Sequence, residues 1–238
     1  MQPELLVVLP VFNEQASVRQ TIEEWLPAIE KVCLGFTILA IDDGSTDKTP
    51  QILNQLQAEY GSKLDIVSRA NRGHGQTCLQ GYRLACSRRV PWVFQIDSDG
   101  QCDPKYFPSL WKAREKYDVI YGHRAIRQDG WRRVLASMVL KVTLLVFARV
   151  WCVDANVPYR LMRAERLLPI LESIPESFFL ANAALSIQLR RAGWRQHSIP
   201  ITFRERFGGE PAVKIGTFGS RAFELIRNIK MLSTGNGD

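Results

Sequence analysis

Two aspartates separated by a single residue are the first candidates for chemistry in this sequence. Asp97 and Asp99 follow the apolar run 92–96, which has the composition of a buried strand. Because residues i and i+2 of an extended segment point the same way, the two carboxylates can converge on one point. Such hard oxygen ligands suit Mg²⁺ or Mn²⁺, which takes its remaining ligands from water and substrate phosphates. A solvated polar turn would show the same spacing, so the pair alone leaves both interpretations open.

Acidic and aromatic residues follow two other apolar runs. Residues 42–45 read Asp-Asp-Gly-Ser, and a carboxylate there can accept hydrogen bonds from a nucleobase or from ribose hydroxyls. Ser45 or Thr46 can cap a following helix, which explains the turn but not the doubled aspartate before it. Residues 10–14, Pro-Val-Phe-Asn-Glu, supply a turn, an aromatic ring and a further carboxylate. The ends of three apolar runs therefore carry groups that can bind a nucleotide.

The first half of the chain alternates between strand-like and helix-like segments, which predicts an α/β fold with a mainly parallel sheet. Ligands of such sheets bind at the carboxyl ends of the strands, so one crevice is expected to collect the polar sequences described above. The predicted strands are residues 5–10, 36–41, 64–68, 92–96 and 118–122, and the predicted helices are residues 16–32, 49–60, 75–87 and 104–116.

The second half loses this alternation. Residues 131–153 are strongly apolar and predicted helical, but Lys141 and Arg149 argue against a membrane span because charges are costly at mid-bilayer. Helices are predicted at 164–173 and 180–192, and a strand is predicted at about 196–203. Without a visible linker, we expect one domain over residues 1–215 and an amphipathic juxtamembrane helix and tail over 216–238. The apolar stripe of that last helix consists of Phe218, Ala222, Leu225, Ile226, Ile229 and Leu232, with Arg227 and Lys230 opposite.

Composition restricts the class of protein. Hydrophobic residues make up 46% of the 238 residues, which excludes a disordered chain. The net charge of +7, from 31 basic and 24 acidic residues, favours anionic partners such as nucleotide phosphates, nucleic acid or acidic membranes. Five scattered cysteines do not form a disulfide pattern, and no signal peptide is visible at the start. We therefore expect a protein on the cytosolic side.

The motifs, taken in order, resemble the family 2 glycosyltransferases of the GT-A fold, and most of all the dolichyl- or polyprenyl-phosphate sugar synthases. The resemblance covers nearly the whole chain. It implies a mixed, mainly parallel sheet flanked by helices. The matching segments are residues 10–14, 41–49, 71–75 (Asn-Arg-Gly-His-Gly), 97–101 and 122–124 (Gly-His-Arg).

The same resemblance implies a role for each matching position. It implies that metal is bound by Asp97 and Asp99 with help from Gln101. The implied residues of the donor pocket are Pro10, Phe12, Glu14, Asp42, Asp43, Arg72, Gly75, Asp97 and Ser98. The residues implied to orient donor and acceptor phosphates are Arg124, Arg160, Arg206 and Lys214, since guanidinium and ammonium groups suit phosphate oxygens.

Departures from the family pattern bear on the acceptor. Many relatives carry an acidic residue on the helix that here reads Phe-Leu-Ala-Asn-Ala-Ala over residues 179–184, and no carboxylate stands there. A hydroxyl acceptor would need a base to take its proton, and Asp154 is the next candidate for it. A phosphate acceptor needs none, because its second pKa lies near 6. The resemblance, together with this missing acid, therefore implies an inverting transfer from a UDP- or GDP-sugar to a polyprenyl- or dolichyl-phosphate lipid, at the cytosolic face of the membrane.

Other functions fit the sequence less well. A glycosyltransferase with a hydroxyl acceptor, such as a glycolipid or a polysaccharide, remains an alternative. A nucleotidyltransferase would also use paired acids, but it would usually carry a phosphate loop rich in glycine and lysine early in the chain. A non-catalytic nucleic-acid binder would suit the basic charge, yet no aromatic and basic platform is present. We therefore predict a nucleotide-sugar partner and no nucleic acid.

Overall fold

A computed structural model describes residues 3–124, 155–175 and 180–208 of the chain. The predictions for residues 131–153 and 216–238 lie outside these ranges, as do Asp154 and Lys214. The described strands are β1 (Leu5–Val11), β2 (Phe36–Asp42), β3 (Leu64–Ser68), β4 (Trp92–Gln95), β5 (Val119–Arg124), β6 (Arg160–Arg163) and β7 (Gln196–Ile201). The described helices are α1 (Val18–Glu30), α2 (Thr49–Tyr60), α3 (His74–Ser87), α4 (Phe107–Ala113), α5 (Leu168–Glu172) and α6 (Ala181–Arg191).

The described strands form one mixed, mainly parallel sheet in the order β3-β2-β1-β4-β6-β5-β7. Strand β1 runs parallel to β2 and to β4, and β5 runs parallel to β7. Strand β6 lies between β4 and β5 and is antiparallel to both. The predicted α/β class is therefore confirmed, and the carboxyl ends of β1, β2, β3 and β4 meet at one edge of the sheet.

Both faces of the sheet are covered by helices, which explains why the central strands read as continuous apolar runs. Every residue of β1 is buried. Its alternate residues divide between the two faces: Leu6 and Val8 pack with residues of α3, α5 and α6, whereas Leu5, Val7 and Leu9 pack with residues of α1, α2 and α4. The core therefore consists of two apolar layers, one on each side of the sheet.

Helix α1 shows how spacing selects the buried face. Ile22, Trp25, Leu26 and Ile29 recur at helical intervals and are all buried. The Trp25 ring lies 5.4 Å from the ring of Phe94 in β4, measured between centroids. This aromatic packing holds α1 against the strand that leads directly to the acid pair.

Helix α3 approaches the sheet unusually closely at Gly81. A Cβ atom on that residue would lie 2.3 Å from Cγ1 of Val8, closer than two carbon atoms can pack. The glycine therefore allows α3 to lie directly against β1, next to the site.

The differences from the predicted elements are local. The predicted helix over 104–116 is shorter, because residues 104–106 form a 3₁₀ turn and α4 ends at Ala113. Strand β7 ends at Ile201 instead of continuing to residue 203. Strand β6 was not predicted, since its sequence Arg-Leu-Met-Arg is short and begins and ends with a charge.

Candidate active site

The loops that follow β1, β2 and β4 are joined by hydrogen bonds at the carboxyl edge of the sheet. The Ser98 hydroxyl donates to the carbonyl of Pro10 over 2.9 Å, and the Ser98 carbonyl accepts from Thr21. The backbone N–H of Asn13 donates to the Ser45 hydroxyl over 2.9 Å. The structure thus brings the three polar sequences into one crevice, as their positions at strand ends predict.

Asp97 and Asp99 differ in their surroundings. The Asp97 side chain is 30% exposed, and its Oδ1 lies 3.4 Å from Nε2 of Gln95 and 3.8 Å from Nε2 of His74. The Asp99 side chain is only 9% exposed. Its Oδ1 accepts from the backbone N–H of Gln101 over 3.0 Å, and its Oδ2 lies 2.9 Å from a guanidinium nitrogen of Arg206. Asp97 is therefore the more accessible of the two carboxylates.

Electrostatics at the acid pair favour a bound cation. Burial and the negative charge of Asp97 together raise the pKa of Asp99 to about 6, against the opposing effects of the Gln101 N–H and Arg206. A divalent cation would relieve this repulsion, and the oxygen donors of Asp97 and Asp99 fit Mg²⁺ or Mn²⁺. In the described part of the chain, no group of three acidic, histidine or cysteine side chains could enclose a metal ion. A cation here would therefore need ligands from water or substrate.

Arg206 bridges two of the acidic residues. Its guanidinium lies 2.7 Å from Oε1 of Glu14 and 2.9 Å from Oδ2 of Asp99. It belongs to residues 203–208, which we call the arginine strap. Two backbone hydrogen bonds connect the strap to the acid-pair loop. The N–H of Phe207 donates to the carbonyl of Asp99, and the N–H of Arg204 donates to the carbonyl of Gln101. A basic segment thus lies directly against the acids.

The strap fits against Gly100 because this residue has no side chain. Gly100 has a φ of +78°, and a Cβ atom there would lie 2.2 Å from the ring of Phe207. The Arg204 guanidinium donates to the Gly100 carbonyl and pairs with Glu24 at 2.7 Å. The arginine strap and the turn at Gly100 therefore form one packed unit.

Asp42 and Asp43 organise loops through their side chains. Asp42 accepts from the Ser45 N–H over 3.0 Å. Asp43 accepts from Nε of Arg69 over 2.7 Å and from the backbone N–H groups of Arg72 and Gly73. The nearly buried Asp43 carboxylate therefore fixes the start of the loop that leads into α3.

Arg69 was missed by sequence reasoning, although its three side-chain contacts help to build the crevice. Besides Asp43, its guanidinium reaches the side chains of Thr77 and Gln80 on α3, at 2.9 and 2.7 Å. The available signal was a basic residue after the third strand, beside a doubled aspartate after the second. The doubled aspartate belongs to a motif, but Arg69 does not.

The predicted donor residues of β1 and its loop lie at the crevice. Phe12 is 39% exposed and offers a ring face that a nucleobase can stack on. Glu14 accepts from the Ser17 hydroxyl over 2.6 Å in addition to its pair with Arg206. Gly75 lies in the first turn of α3. Of the implied metal ligands, Gln101 donates through Nε2 to the carbonyl of Arg204.

The described arginines implied to bind phosphate occupy different surroundings. Arg124 ends β5, and its guanidinium lies 4.4 Å from the ring centre of Phe203 in the strap. Arg160 is fully buried, and its guanidinium donates to the carbonyls of Ala155, Val157 and Asn182. In this arrangement Arg160 supports the structure beneath the crevice, and its role towards phosphate stays a prediction.

Residues 6–165 match the family model described as glycosyl transferase family 2. This chain belongs to that family. The matched residues include the acid pair and the two sequences predicted to bind the nucleotide, residues 10–14 and 42–45. The resemblance to family 2 seen in the motifs is therefore confirmed.

Curated relatives of this family 2 chain include two undecaprenyl-phosphate 4-deoxy-4-formamido-L-arabinose transferases. The one from Edwardsiella ictaluri is 28% identical over 223 residues, which are 92% of this chain and 66% of the relative. The one from Serratia proteamaculans is 33% identical over 141 residues, which are 58% of this chain and 42% of the relative. The chain thus spans less than two thirds of the length of the curated relatives it matches.

Solved structures with the same fold include glucosyl-3-phosphoglycerate synthase from Mycobacterium tuberculosis. Its complex with Mn²⁺, UDP and phosphoglyceric acid superposes with a TM-score of 0.72 at 18% identity, covering 98% of this chain and 79% of that one. Its complex with Mn²⁺, UDP-glucose and phosphoglyceric acid superposes with a TM-score of 0.72 at 19% identity, covering 99% of this chain and 81% of that one. The GT-A fold of this chain is therefore shown by structure as well as by sequence.

Helix lengths bear on the membrane question. Within residues 3–124, 155–175 and 180–208, no helix is both long enough and apolar enough to cross a bilayer.

Proposed function

We propose that this chain transfers a sugar, with inversion, from a UDP- or GDP-sugar to a polyprenyl- or dolichyl-phosphate lipid, with Mg²⁺ or Mn²⁺ as cofactor. The observation that carries the proposal is the acid pair in the crevice, with Phe12 and Glu14 on the same edge of the sheet. The curated relatives support the acceptor, since their names give undecaprenyl phosphate. The Mn²⁺ and UDP-glucose in structures of the same fold support the donor and the metal.

The donor is held by residues of the first two loops. Phe12 stacks on the nucleobase, and carboxylates of Glu14 and the 42–43 pair accept hydrogen bonds from base or ribose. Because Asp43 already receives three N–H groups, it acts mainly by fixing the backbone of residues 72–73. The sugar then extends from the diphosphate towards the open side of Asp97.

Negative charge develops on the leaving group, and the site must stabilise this charge to lower the activation free energy of transfer. When bound by Asp97 and Asp99, Mg²⁺ or Mn²⁺ supplies positive charge next to the departing nucleoside diphosphate. Arg206 then turns from Glu14 and Asp99 to the phosphate oxygens, where its planar fork fits. We assign the same role to Arg124 and to Lys214, which lies outside the described residues.

The acceptor needs no general base on α6. A lipid phosphate carries an ionised oxygen near neutral pH, so it can attack the anomeric carbon directly from the face opposite the leaving group. Residues 181–191, which form helix α6, contain no aspartate or glutamate. The proposal places the reaction at the cytosolic surface of the membrane, with residues 216–238 as the peripheral contact.

Calorimetry with UDP and GDP, each with and without Mn²⁺, tests donor binding. We expect Mn²⁺-dependent binding of one nucleotide, which also identifies the donor class. Transfer of labelled sugar is then measured with undecaprenyl phosphate and with undecaprenol as acceptors. Transfer to the alcohol alone would contradict the phosphate acceptor, and a folded chain that binds neither nucleotide would contradict the proposed activity.

Substitution of a metal ligand provides the first prediction. Asp99→Asn should abolish transfer and Mn²⁺-dependent nucleotide binding, because the remaining Asp97 offers one carboxylate where two are needed. The matched control is Asp65→Asn, which removes an equal charge from β3, where Asp65 forms a half-exposed pair with Arg88. Near-normal transfer by Asp99→Asn would contradict the metal role.

A further inference from the structure

A cluster of buried polar side chains lies beside the acid pair, between the sheet and helices α3 and α6. Tyr82 and Gln95 are fully buried, and Asn182 is 4% exposed. Alternation along β4 places Gln95 on the same face as Val93, which packs against α3 and α6. Buried polar groups are costly unless hydrogen-bonded, so their contacts indicate what the cluster is for.

These contacts form a continuous chain from α6 to the acid pair. The Tyr82 hydroxyl donates its single proton to Oε1 of Gln95, and the side-chain amide of Asn182 lies 3.0 Å from the same phenol oxygen, to which its N–H group can donate. The other end of the Gln95 amide, Nε2, lies 3.4 Å from Oδ1 of Asp97. One hydrogen-bonded path therefore connects the first turn of α6 with the accessible carboxylate of the crevice.

The path restrains the rotation of Asp97. With its oxygen held by Tyr82, the Gln95 amide must present its N–H groups to Asp97. Burial raises the pKa of Tyr82 well above its usual range, so the phenol stays neutral and keeps its proton for this contact. A donor fixed on one carboxylate oxygen determines how the other oxygen is presented to the crevice.

The α6 end of the path is itself anchored. The buried Arg160 guanidinium donates to the carbonyl of Asn182 over 3.2 Å, and the Ser186 hydroxyl donates to the same carbonyl over 2.8 Å. Because Arg160 lies opposite Gln95 in the paired strands β6 and β4, the helix, both strands and the polar path form one connected unit.

We propose that Gln95 is a positioning residue that orients Asp97 for cation binding, and that Tyr82 and Asn182 transmit this restraint from helix α6. The inference rests on the proposed function, since it needs a metal site at Asp97 and Asp99. Partners of this kind, behind the ligands, typically change metal affinity by about 10- to 100-fold.

A pair of tyrosine variants tests the restraint. Tyr82→Phe removes the central hydroxyl, whereas Tyr159→Phe removes an equally buried hydroxyl that donates to the Asp103 carbonyl on the other face of the sheet. Mn²⁺ affinity of the full chain is measured by electron paramagnetic resonance, without nucleotide, at a temperature where both variants are folded. We expect about tenfold weaker binding in Tyr82→Phe and little change in Tyr159→Phe.

A double variant distinguishes a restraint that passes through Gln95 from a general weakening of the metal site. If Tyr82 acts through Gln95, then Gln95→Met and the double variant Tyr82→Phe/Gln95→Met should lose similar Mn²⁺ affinity, since the second change removes nothing further. Additive losses would overturn the proposed path, as would equal affinities in Tyr82→Phe and Tyr159→Phe.

The wild-type chain distinguishes this failure from failure of the proposed function. A wild type that binds Mn²⁺ and nucleotide, with no difference between the two tyrosine variants, overturns the positioning role alone. A folded wild type that binds neither ligand overturns both the metal site and the restraint on it.

Discussion

Arg206 illustrates how single side chains in this crevice depend on distant parts of the chain. Its guanidinium lies between Glu14 and Asp99, so it neutralises carboxylates that burial would otherwise make unfavourable. A metal ion would take over part of this neutralisation. Under the proposed function, Arg206 would pair with these carboxylates in the free protein and with phosphate oxygens when the donor is bound.

Loss of Arg206 should make the stability of the protein depend on metal. Arg206→Ala leaves Glu14 and Asp99 without this cation, which should cost about 2 kcal/mol of unfolding free energy without metal. Excess Mn²⁺ should recover part of the loss, because it binds the folded state. Thermal unfolding with and without Mn²⁺ measures both effects.

Arg204→Ala is the matched control for that prediction. Arg204 lies in the same strap but pairs with Glu24 and the Gly100 carbonyl, away from the acid oxygens. Its loss should destabilise the chain equally with and without Mn²⁺. The same recovery by Mn²⁺ in both variants would contradict the assigned role of Arg206.

Asp118 shows how the strands are held at the edge of the sheet opposite the crevice. Its backbone carbonyl accepts from Arg163 at the end of β6, and its N–H donates to the carbonyl of Arg195 just before β7. Its carboxylate also accepts from the Arg195 backbone and side chain, and pairs with Arg163 at 3.4 Å. One side chain thus pins three strands.

The contribution of Asp118 should depend on pH. Burial alone would raise its pKa, but hydrogen bonds from Arg195 and the charges of Arg195 and Arg163 lower it overall. A carboxyl with a lowered folded pKa stabilises the protein above its unfolded pKa of about 3.9 and loses that contribution as the pH falls through the folded value. Asp118→Asn should therefore cost about 1 to 3 kcal/mol near neutral pH and much less in acid.

Urea unfolding at neutral and acid pH measures this difference. Asp65→Asn serves as the control, since the half-exposed pair of Asp65 with Arg88 should contribute under about 1 kcal/mol. A cost for Asp118→Asn that is the same at both pH values would show that the carboxylate charge has no part in it.

The sequence was sufficient to predict the strands whose own residues form a recognisable apolar run. Apolar runs predict β1 to β5, because strands buried on both faces must be continuously apolar. Strand β6 escaped prediction because four residues with charged ends carry little periodicity. The placement of Arg160 escaped for a related reason: a buried guanidinium satisfied by carbonyls looks the same in sequence as one that binds phosphate.

The candidate site divides in the same way. Acids at strand ends could be predicted to meet, because the topology of a parallel sheet brings those ends together. The side chains that contact these acids could not be predicted. Arg206 is far from Asp99 in the chain, and Gln95, Tyr82 and Asn182 belong to no motif.

For the molecule as a whole, the excess of positive charge suits both a nucleotide donor and an anionic membrane surface. The crevice itself is acidic at Asp97 and Asp99, so basic residues elsewhere carry the excess. Residues 216–238 contribute a net charge of only +1, from three basic and two acidic residues, so most of the excess lies elsewhere in the chain. Their boundary with the domain at residue 215 stays a prediction.

Binding to vesicles tests the amphipathic segment. Arg227→Ala/Lys230→Ala should weaken binding to vesicles with anionic lipid by about 2 kcal/mol, at about 1 kcal/mol for each basic residue near the surface. The control Arg88→Ala/Arg89→Ala removes the same charge beyond the end of α3 that lies away from the crevice. Equal losses in the two variants would show that net charge alone drives binding.

The position of β6 has a consequence for synthesis on the ribosome. Strands β1 to β4 can pair as soon as they leave the exit tunnel, since they are neighbours in the sheet. Strand β5 emerges next but has no place beside β4, because the strand that joins them is translated later. The nascent chain must therefore carry β5 unpaired until residue 163 has emerged, and its acid pair must wait for residue 206. While β5 is unpaired, the growing chain exposes a free strand edge, which favours aggregation and binding by chaperones.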